Sequence, residues 1–180
     1  MNVHQLRAAA LDGQPFTYLH FWRPGSPHAV GPNCMSQWYA RPFEDEGVFY
    51  YTAEHYMMAG KARLFGDEEA LEALLENPDP AAARRWGRKV RGFQDSVWKK
   101  ERFAIVVRGS AAKFGADERL RAYLLGTGDA VLVEASPSDR IWGIGLGEKN
   151  DLAWDPQTWR GQNLLGFALM EARDRLRDAG

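Results

Sequence analysis

The sequence predicts an α+β fold, as a single helix-rich domain with a small β-sheet. The 180 residues are enough for one domain with a substantial core. Apolar residues make up 45% of the chain and charged residues 26%, a balance typical of globular proteins. The order of segments is mixed, with helices dominating and few strands, and no internal repeat or low-complexity linker divides the chain.

The first part of the domain contains most of the predicted strands. The elements predicted here are strands at 16–22 and 47–51, a short extended piece at 36–43, and a helix from Ala53 to about Phe65. Between the first strand and the extended piece lies a long loop rich in proline and glycine, which is typical of an ordered loop near a site. Thr52 is the expected N-cap of the helix, and Gly66 ends it.

The rest of the chain predicts helices around one further strand. The elements are helices at 67–77, from the proline turn after Asn77 to near Gly87, at 96–114 and at 117–128, a strand at 130–135, and a final helix from about Asn163 to Asp178. Asn163 is a natural N-cap, and a free helix N-terminus is a ready anion site. Gly166 inside this helix costs about 1 kcal/mol relative to alanine, so we expect something to pack closely against it.

Composition and charge exclude several classes of function. A net charge of −1 gives no whole-protein attraction to nucleic acid or membranes, and no apolar run approaches the roughly 20 residues that span a bilayer. The only cysteine, Cys34, excludes an intrachain disulfide and a cysteine-cluster metal site, and the four histidines have no metal-binding spacing. We therefore expect no metal and no cofactor. Because the first residues show no secretory signal, we expect a cytoplasmic protein.

The helix in TAEHYMMAGKARLF (52–65) carries two charges on an unusual face. At 100° per residue, Glu54, Met58 and Lys61 lie within about 60° of one another. The Glu54 and Lys61 backbones are about 10 Å apart along the axis, too far for the favoured i,i+4 ion pair. Two interpretations remain equally open: both side chains reach into a shared cavity, or both are solvated.

One later segment and the aromatic content suggest a binding cleft. Seven tryptophans are many for 180 residues, which makes a cleft for a planar ligand worth testing, although most of the rings can be core or rim aromatics. In SPSDRIWGIGLG (136–147), Asp139 precedes Trp142 and alternating glycines, so the backbone can approach a ligand closely beside an aromatic plane. This stretch matches no dinucleotide-binding or P-loop fingerprint, and it can equally be a loop that needs positive φ.

Five short motifs follow one another along the chain. They are Glu54-His55-Tyr56 with Lys61, Gly87-Arg88 followed by Trp98, Lys113-Phe114, Glu134 with Asp139 and Trp142-Gly143-x-Gly145, and Gly161-x-Asn163-x-x-Gly166-x-x-Leu169-Met170. Together these motifs resemble those of the NADAR family of N-glycosidases. Each motif is weak alone, but five in the same order, from about residue 20 to 176, are specific. A departure is Gln37-Trp38 where the family often has asparagine and phenylalanine, which bears on substrate choice at the pocket rim.

The resemblance implies a small α+β fold that hydrolyses an N-glycosidic bond to ribose. It places the domain at 16–180, after an N-terminal extension at 1–15. The implied catalytic residues are Glu54 as proton shuttle, Lys61 as the amine that forms an imine with the sugar, and Asp139 at the ribose hydroxyls or in opening of the sugar ring. The implied substrate-binding residues are Arg23, Ser36, Trp38, His55, Arg88, Trp98, Lys113, Trp142, Gly143, Gly161 and Asn163, with the two later tryptophans stacking on the base and Arg23, Arg88 and Lys113 contacting phosphate.

Three functions remain as alternatives. The first is hydrolysis of the phosphoribosylamino-pyrimidine intermediates of riboflavin biosynthesis, and the second is removal of ADP-ribose from guanine bases in nucleic acid. The third is a nucleotide-binding module without catalysis, against which the intact Glu54, Lys61 and Asp139 argue. In each case the partner is a nucleotide-like molecule, and the sequence leaves the oligomeric state open.

Overall fold

The computed structural model describes residues 1–180 and confirms the α+β class, with helices dominating. The elements are α1 (Val3–Leu11), β1 (Tyr18–Phe21), β2 (Phe43–Asp45), β3 (Val48–Tyr50), α2 (Ala53–Leu64), α3 (Glu68–Glu76), α4 (Pro80–Lys89), α5 (Asp95–Gly115), α6 (Glu118–Gly126), β4 (Val131–Glu134) and α7 (Leu164–Asp178). Short 3₁₀ turns lie at Pro32–Met35, Asp151–Trp154 and Pro156–Thr158. No helix combines the length and the apolar character needed to cross a membrane.

The four strands form two separate pairs. β1 and β4 pair in parallel, with Tyr18 opposite Val131 and Phe21 opposite Glu134, although more than half of the chain separates them. β2 and β3 form an antiparallel hairpin. Its two loop residues, Glu46 and Gly47, both have positive φ, which matches the twist of the flanking strands. The extended piece predicted at 36–43 is wrong for most of its length, because the chain turns at 36–38 and only Phe43 enters a strand.

Helix α5 lies at the centre and packs most extensively on α7 and α2. Its apolar side chains join those of α2, α6 and α7 in the main core. Trp98 and Ile105, which lie seven residues apart on α5, are both buried. The central packing places the buried face of α2 between α5 and α4, where the candidate site forms.

The first residues of the chain share a core with the rest. Val3 and Leu6 of α1 are buried in a second apolar cluster with residues of β4 and Trp159. The Arg7 guanidinium donates hydrogen bonds to the Pro156 and Trp159 carbonyls. Within residues 1–15, which are expected as an extension, Val3–Leu11 form helix α1 and pack on the domain.

The start of α7 is tied to the end of β4 by Asn163. Asn163 is the N-cap residue of α7, as predicted, but it has φ 53° and its side chain makes no capping hydrogen bond. Instead its Oδ1 accepts from the Glu134 N–H at 2.9 Å and its Nδ2 donates to the Leu132 carbonyl at 2.8 Å. A Cβ on Gly166 would lie 2.0 Å from the same Leu132 oxygen, which confirms the expected close packing.

Candidate active site

A cleft of about 620 Å³ opens between α2, α4, the start of α5, and the loops that follow β1 and β4. This volume is in the range of small-molecule sites. Of the residues predicted for the site, the cleft is lined by Arg23, Ser36, Trp38, Glu54, Lys61, Arg88, Trp98, Asp139 and Trp142. Elements far apart in the chain therefore bring most of the predicted site together in one place.

Helix α2 presents Glu54 and Lys61 to the same cleft. Of the two interpretations of this helix face, the shared cavity is confirmed. Glu54 is only 5% exposed, and its burial raises the pKa of its carboxyl to about 7. The Arg84 charge and hydrogen bonding from Trp38 oppose this shift. A buried carboxyl with a pKa near neutrality can both take up and release a proton at physiological pH.

The Lys61 amine is shielded on several sides. Its Nζ donates to the Gly87 carbonyl at 2.6 Å and lies 4.1 Å from the ring centroid of Phe93. Burial lowers the pKa of this amine and so favours its neutral, nucleophilic form, while the carbonyl and the ring face favour the ammonium. A Cβ on Gly87 would lie 1.9 Å from the Met58 sulfur, so the lack of a side chain at Gly87 lets α4 pack this closely against Met58 of α2.

Asp139 organises the loop that follows β4. Its Oδ1 accepts hydrogen bonds from the backbone N–H groups of Ile141 and Trp142, each at 2.8 Å. These bonds hold the carboxyl at the cleft and orient the Trp142 ring beside it. The guanidinium of the buried Arg102 lies 6.0 Å from the centroid of that ring. The aromatic plane expected next to Asp139 therefore has a buried cation close to it.

Arginines line the cleft around the buried acids. Arg23 and Arg88 were predicted, and Arg84 of α4 adds a third guanidinium. Arg23 also lies over the exposed Trp22 ring, 4.6 Å from its centroid. Trp22 was not predicted, and Arg84 is one helical turn before Arg88 and thus on the same face. The arrangement suits a ligand with negative charge at one end and an uncharged part inside.

The residue of most consequence that the sequence analysis did not assign to the site is Glu134, at the end of β4. Its carboxyl lines the cleft, and its Oε2 is buried without a hydrogen-bond partner. Burial raises the pKa of this carboxyl to about 8, and the nearby charges of Asp139 and Glu54 act in the same direction. The signal was an acid that ends an otherwise apolar strand, a place where a charge is seldom tolerated without a purpose.

Four predicted binding residues lie behind the cleft and not in it. His55 is fully buried, with its Nδ1 bonded to the Thr52 hydroxyl and its Nε2 to the Asn77 carbonyl. It joins the start of α2 to the end of α3. The other three are Gly143, Gly161 and Asn163, which pack the loop after β4 against the start of α7. A Cβ on Gly161 would lie 2.1 Å from the Gly143 carbonyl oxygen, so these glycines allow backbones to meet.

Lys113, predicted to contact phosphate, is fully buried in the core and does not line the cleft. Its Nζ donates to the Cys34 carbonyl at 2.6 Å and to the Ser36 carbonyl at 3.0 Å. Burial lowers the pKa of this amine to about 7. The turn it holds leads to Gln37, whose carbonyl accepts the Glu54 N–H at 3.0 Å. Lys113 therefore supports a wall of the cleft from inside.

Replacing Lys113 by methionine is expected to change how stability depends on pH. Between about pH 7 and 10.5 the unfolded lysine carries a proton that the folded amine has lost. The free energy of unfolding of the native chain should therefore rise over that range, by roughly 2–5 kcal/mol. Lys113→Met should lack this rise and leave two buried carbonyls unpaired, so it should be the less stable chain at pH 9.

Urea unfolding at pH 6 and pH 9 measures this difference. The exposed Lys100, changed to methionine, is the matched control and should leave the rise intact. Parallel stability curves for the native chain and Lys113→Met would contradict a neutral buried amine.

Comparison with known proteins places the chain in a family. A model of the NADAR domain matches residues 20–177. N-glycosidase R617 of Acanthamoeba polyphaga mimivirus is 38% identical over 159 residues, which are 86% of this chain and 94% of the relative. N-glycosidase YbiA of Escherichia coli (strain K12) is 33% identical over 142 residues, 79% of this chain and 80% of the relative. The NMR structure of the E. coli protein YbiA superposes with a TM-score of 0.73 at 29% identity, covering 91% of this chain and 86% of that one.

The chain belongs to the NADAR family. Its similarity to the viral and bacterial relatives, which are named N-glycosidases, extends over most of the chain. The agreement with the solved YbiA structure supports the helix-rich α+β architecture from an independent direction.

Proposed function

We propose that this protein is a hydrolase of N-glycosyl bonds that cleaves the ribosyl C–N bond of phosphoribosylamino-pyrimidine intermediates of riboflavin biosynthesis. The relatives' names support the reaction class. The observation that carries the proposal is the convergence of Glu54, Lys61 and Asp139 on one cleft with tryptophans and arginines. Planar aromatic walls suit a base, carboxyl groups suit ribose hydroxyls, and guanidinium groups suit phosphate.

Cleavage proceeds through an imine between Lys61 and the sugar. The neutral amine adds to the anomeric carbon of the opened sugar, and the C–N bond to the base then breaks. Glu54 takes a proton from the adding amine and passes it to the base nitrogen, which leaves with the bonding electron pair. Water hydrolyses the remaining imine, which frees Lys61 and releases the sugar phosphate as an aldehyde.

Asp139 acts on the ribose in this scheme. With its Oδ1 occupied by two backbone N–H groups, its other oxygen is available to accept hydrogen bonds from ribose hydroxyls. The positive charge that develops at the anomeric carbon is stabilised by carboxylates in the same cleft. Trp98 and Trp142 are the walls against which the base would stack.

Removal of ADP-ribose from guanine is the second candidate, favoured by one observation. Three arginines, Arg23, Arg84 and Arg88, line the cleft, which is more positive charge than one sugar phosphate requires and suits a diphosphate. The chemistry at Lys61 and Glu54 would be the same for either substrate, because both present a ribose joined to a base nitrogen.

Product analysis separates the two substrates. The purified protein should be incubated separately with a phosphoribosylamino-pyrimidine and with DNA carrying ADP-ribosylated guanine. Release of ribose 5-phosphate from the first, at least about tenfold faster than release of ADP-ribose from the second, is the expected result. The reverse order would assign the protein to the second substrate, and no release from either would leave a binding module. Lys61→Ala serves as the blank for spontaneous breakdown of the unstable pyrimidine.

A further inference from the structure

Glu134 is held rigidly at the floor of the cleft. Its N–H donates to Asn163 Oδ1, and its carbonyl accepts from the N–H groups of Ser136 and Ile144 at 2.9 and 3.0 Å. The backbone of Glu134 is therefore fixed on both sides, and its side chain lines the cleft. Its Oε2 is buried and has no hydrogen-bond partner. A buried oxygen without a partner is costly, and a ligand bound in the cleft can supply a hydrogen bond to this carboxyl.

The surroundings decide which proton state this carboxyl adopts. The ionisable groups around the cleft are Glu54 and Lys61 on α2, Arg84 and Arg88 on α4, Arg102 on α5, Arg23 after β1 and Asp139 after β4. None of the cations forms a salt bridge with Glu134, so nothing compensates a buried negative charge there. The pKa of about 8 follows from burial first and from Asp139 and Glu54 second. Glu134 therefore keeps its proton at neutral pH.

The three acids differ in what they can offer a sugar. Asp139 uses one oxygen to accept two backbone N–H groups. Glu54 shares a helix face with Lys61, and its carboxyl already carries the proton from the Lys61 amine to the base nitrogen. The sugar ring must open before Lys61 can form an imine with it. When the ring opens, the ring oxygen needs an acid that gives it a proton. When their surroundings give neighbouring carboxyl groups different pKa values, one carboxyl can act as the acid and another as the base.

We propose that Glu134 is a further catalytic residue of this cleft, the neutral acid that opens the sugar ring. The inference rests on the proposed imine route. In this step the bond between the anomeric carbon and the ring oxygen breaks, and its electron pair goes to the oxygen, which takes the Glu134 proton. The lone pair of the glycosidic nitrogen forms a double bond to the anomeric carbon. The resulting cation, facing the Glu134 carboxylate, is the electrophile to which Lys61 adds.

The variant Glu134→Gln tests the step, because the amide keeps size and a hydrogen-bond donor but cannot transfer a proton. With the phosphoribosylamino-pyrimidine as probe, we expect kcat to fall by about 10²-fold while KM stays within about threefold. The decline of the native enzyme's kcat/KM above about pH 8 should vanish in the variant. The proposal would be overturned if Glu134→Gln kept the kcat of the native enzyme, or if its kcat/KM still declined above that pH.

Glu134→Asp is the second variant, which keeps an acid and serves if the glutamine form does not fold. In Glu134→Asp, kcat/KM should still decline at alkaline pH. If that decline were absent, the result would count against Glu134 as the acid. The half-exposed Glu171 on α7, changed to glutamine, is the matched control and should behave as the native chain. Circular dichroism establishes that each variant is folded.

Borohydride trapping separates this proposal from the imine mechanism itself. Ribose 5-phosphate is a stable probe, since its ring must also open before an imine can form. Absence of an adduct on Lys61 in the native protein would overturn the imine route and this inference with it. An adduct that forms equally fast in Glu134→Gln would overturn the role of Glu134 alone. We expect trapping in the variant to be at least about tenfold slower.

Discussion

Lys61→Ala is expected to lower kcat for N-glycoside cleavage by about 10⁴-fold or more, because loss of a covalent nucleophile can cost up to about 10⁶-fold in a hydrolase. The amine lies within the cleft, and burial lowers its pKa toward the neutral form that can attack carbon. Alanine removes the hydrogen bond to Gly87 and the contact with the Phe93 ring, but no buried charge pair is broken. The fold should therefore survive.

The measurement is single-turnover release of sugar phosphate, together with mass analysis after borohydride reduction. The native chain should gain the mass of the reduced sugar on Lys61, and the variant should gain none. Lys100→Ala, on the exposed side of α5, is the matched control and should retain full rates. Substantial turnover by Lys61→Ala would show that water attacks the sugar directly and would leave the amine a binding role.

Glu54→Gln is expected to lower kcat/KM by about 10³-fold, because the amide cannot take up or release the shuttled proton. In the native enzyme the ionised carboxyl is required, so activity should fall as pH drops below about 7. In Glu54→Gln, activity should no longer fall below about pH 7. Because Glu54 and Glu134 interact, the falls in activity below about pH 7 and above about pH 8 belong to the pair of carboxyls.

The same substitution should stabilise the protein above pH 7. The folded carboxyl has a pKa of about 7 against 4.5 in the unfolded chain, so the folded state binds the extra proton between these values. The free energy of unfolding of the native chain therefore decreases as pH rises through that window. Removing the buried carboxyl should give back roughly 2–4 kcal/mol above pH 7 and little below pH 4.5.

Thermal or urea unfolding of Glu54→Gln at pH 5 and pH 8 tests this part, with Glu171→Gln at a half-exposed position as the control. A variant that loses activity and gains stability identifies a residue retained for chemistry, since a structural carboxyl would lower stability when removed. If Glu54→Gln were less stable at pH 8 than the native chain, Glu54 would be a structural residue and its role as proton shuttle would be wrong.

Much of the fold follows from local patterns. The predicted helix at 67–77 is Glu68–Glu76, the helix at 96–114 is Asp95–Gly115, and the strand at 130–135 is Val131–Glu134. Caps, glycines and hydrophobic period act within a few residues, so they are visible in the sequence. The pairing of β1 with β4 was not predicted, because a parallel pair between distant segments depends on the packing of everything between them.

The same patterns do not show which polar and ionisable side chains are buried. The fate of Lys113 and Asn163 shows the difference: both match family motifs, yet one supports a turn from inside the core and the other joins β4 to α7. Glu134 appeared as the end of a strand and became an acid in the cleft only once Glu54 and Asp139 were brought beside it. A pKa depends on burial and on neighbours within a few ångströms, and those neighbours come from other segments.

The amino-acid sequence by itself determined the helical content of this protein, the shared face of Glu54 and Lys61, and nine of the 21 residues that line the cleft, because period and motif are properties of the chain. Only the tertiary structure decided that this face is buried, that a third acid joins it, and that an expected phosphate ligand lies in the core. Burial takes an ionisable group out of water and shifts its pKa, and this shift turns an acid and an amine into reactive groups. The sequence alone does not specify which groups are buried.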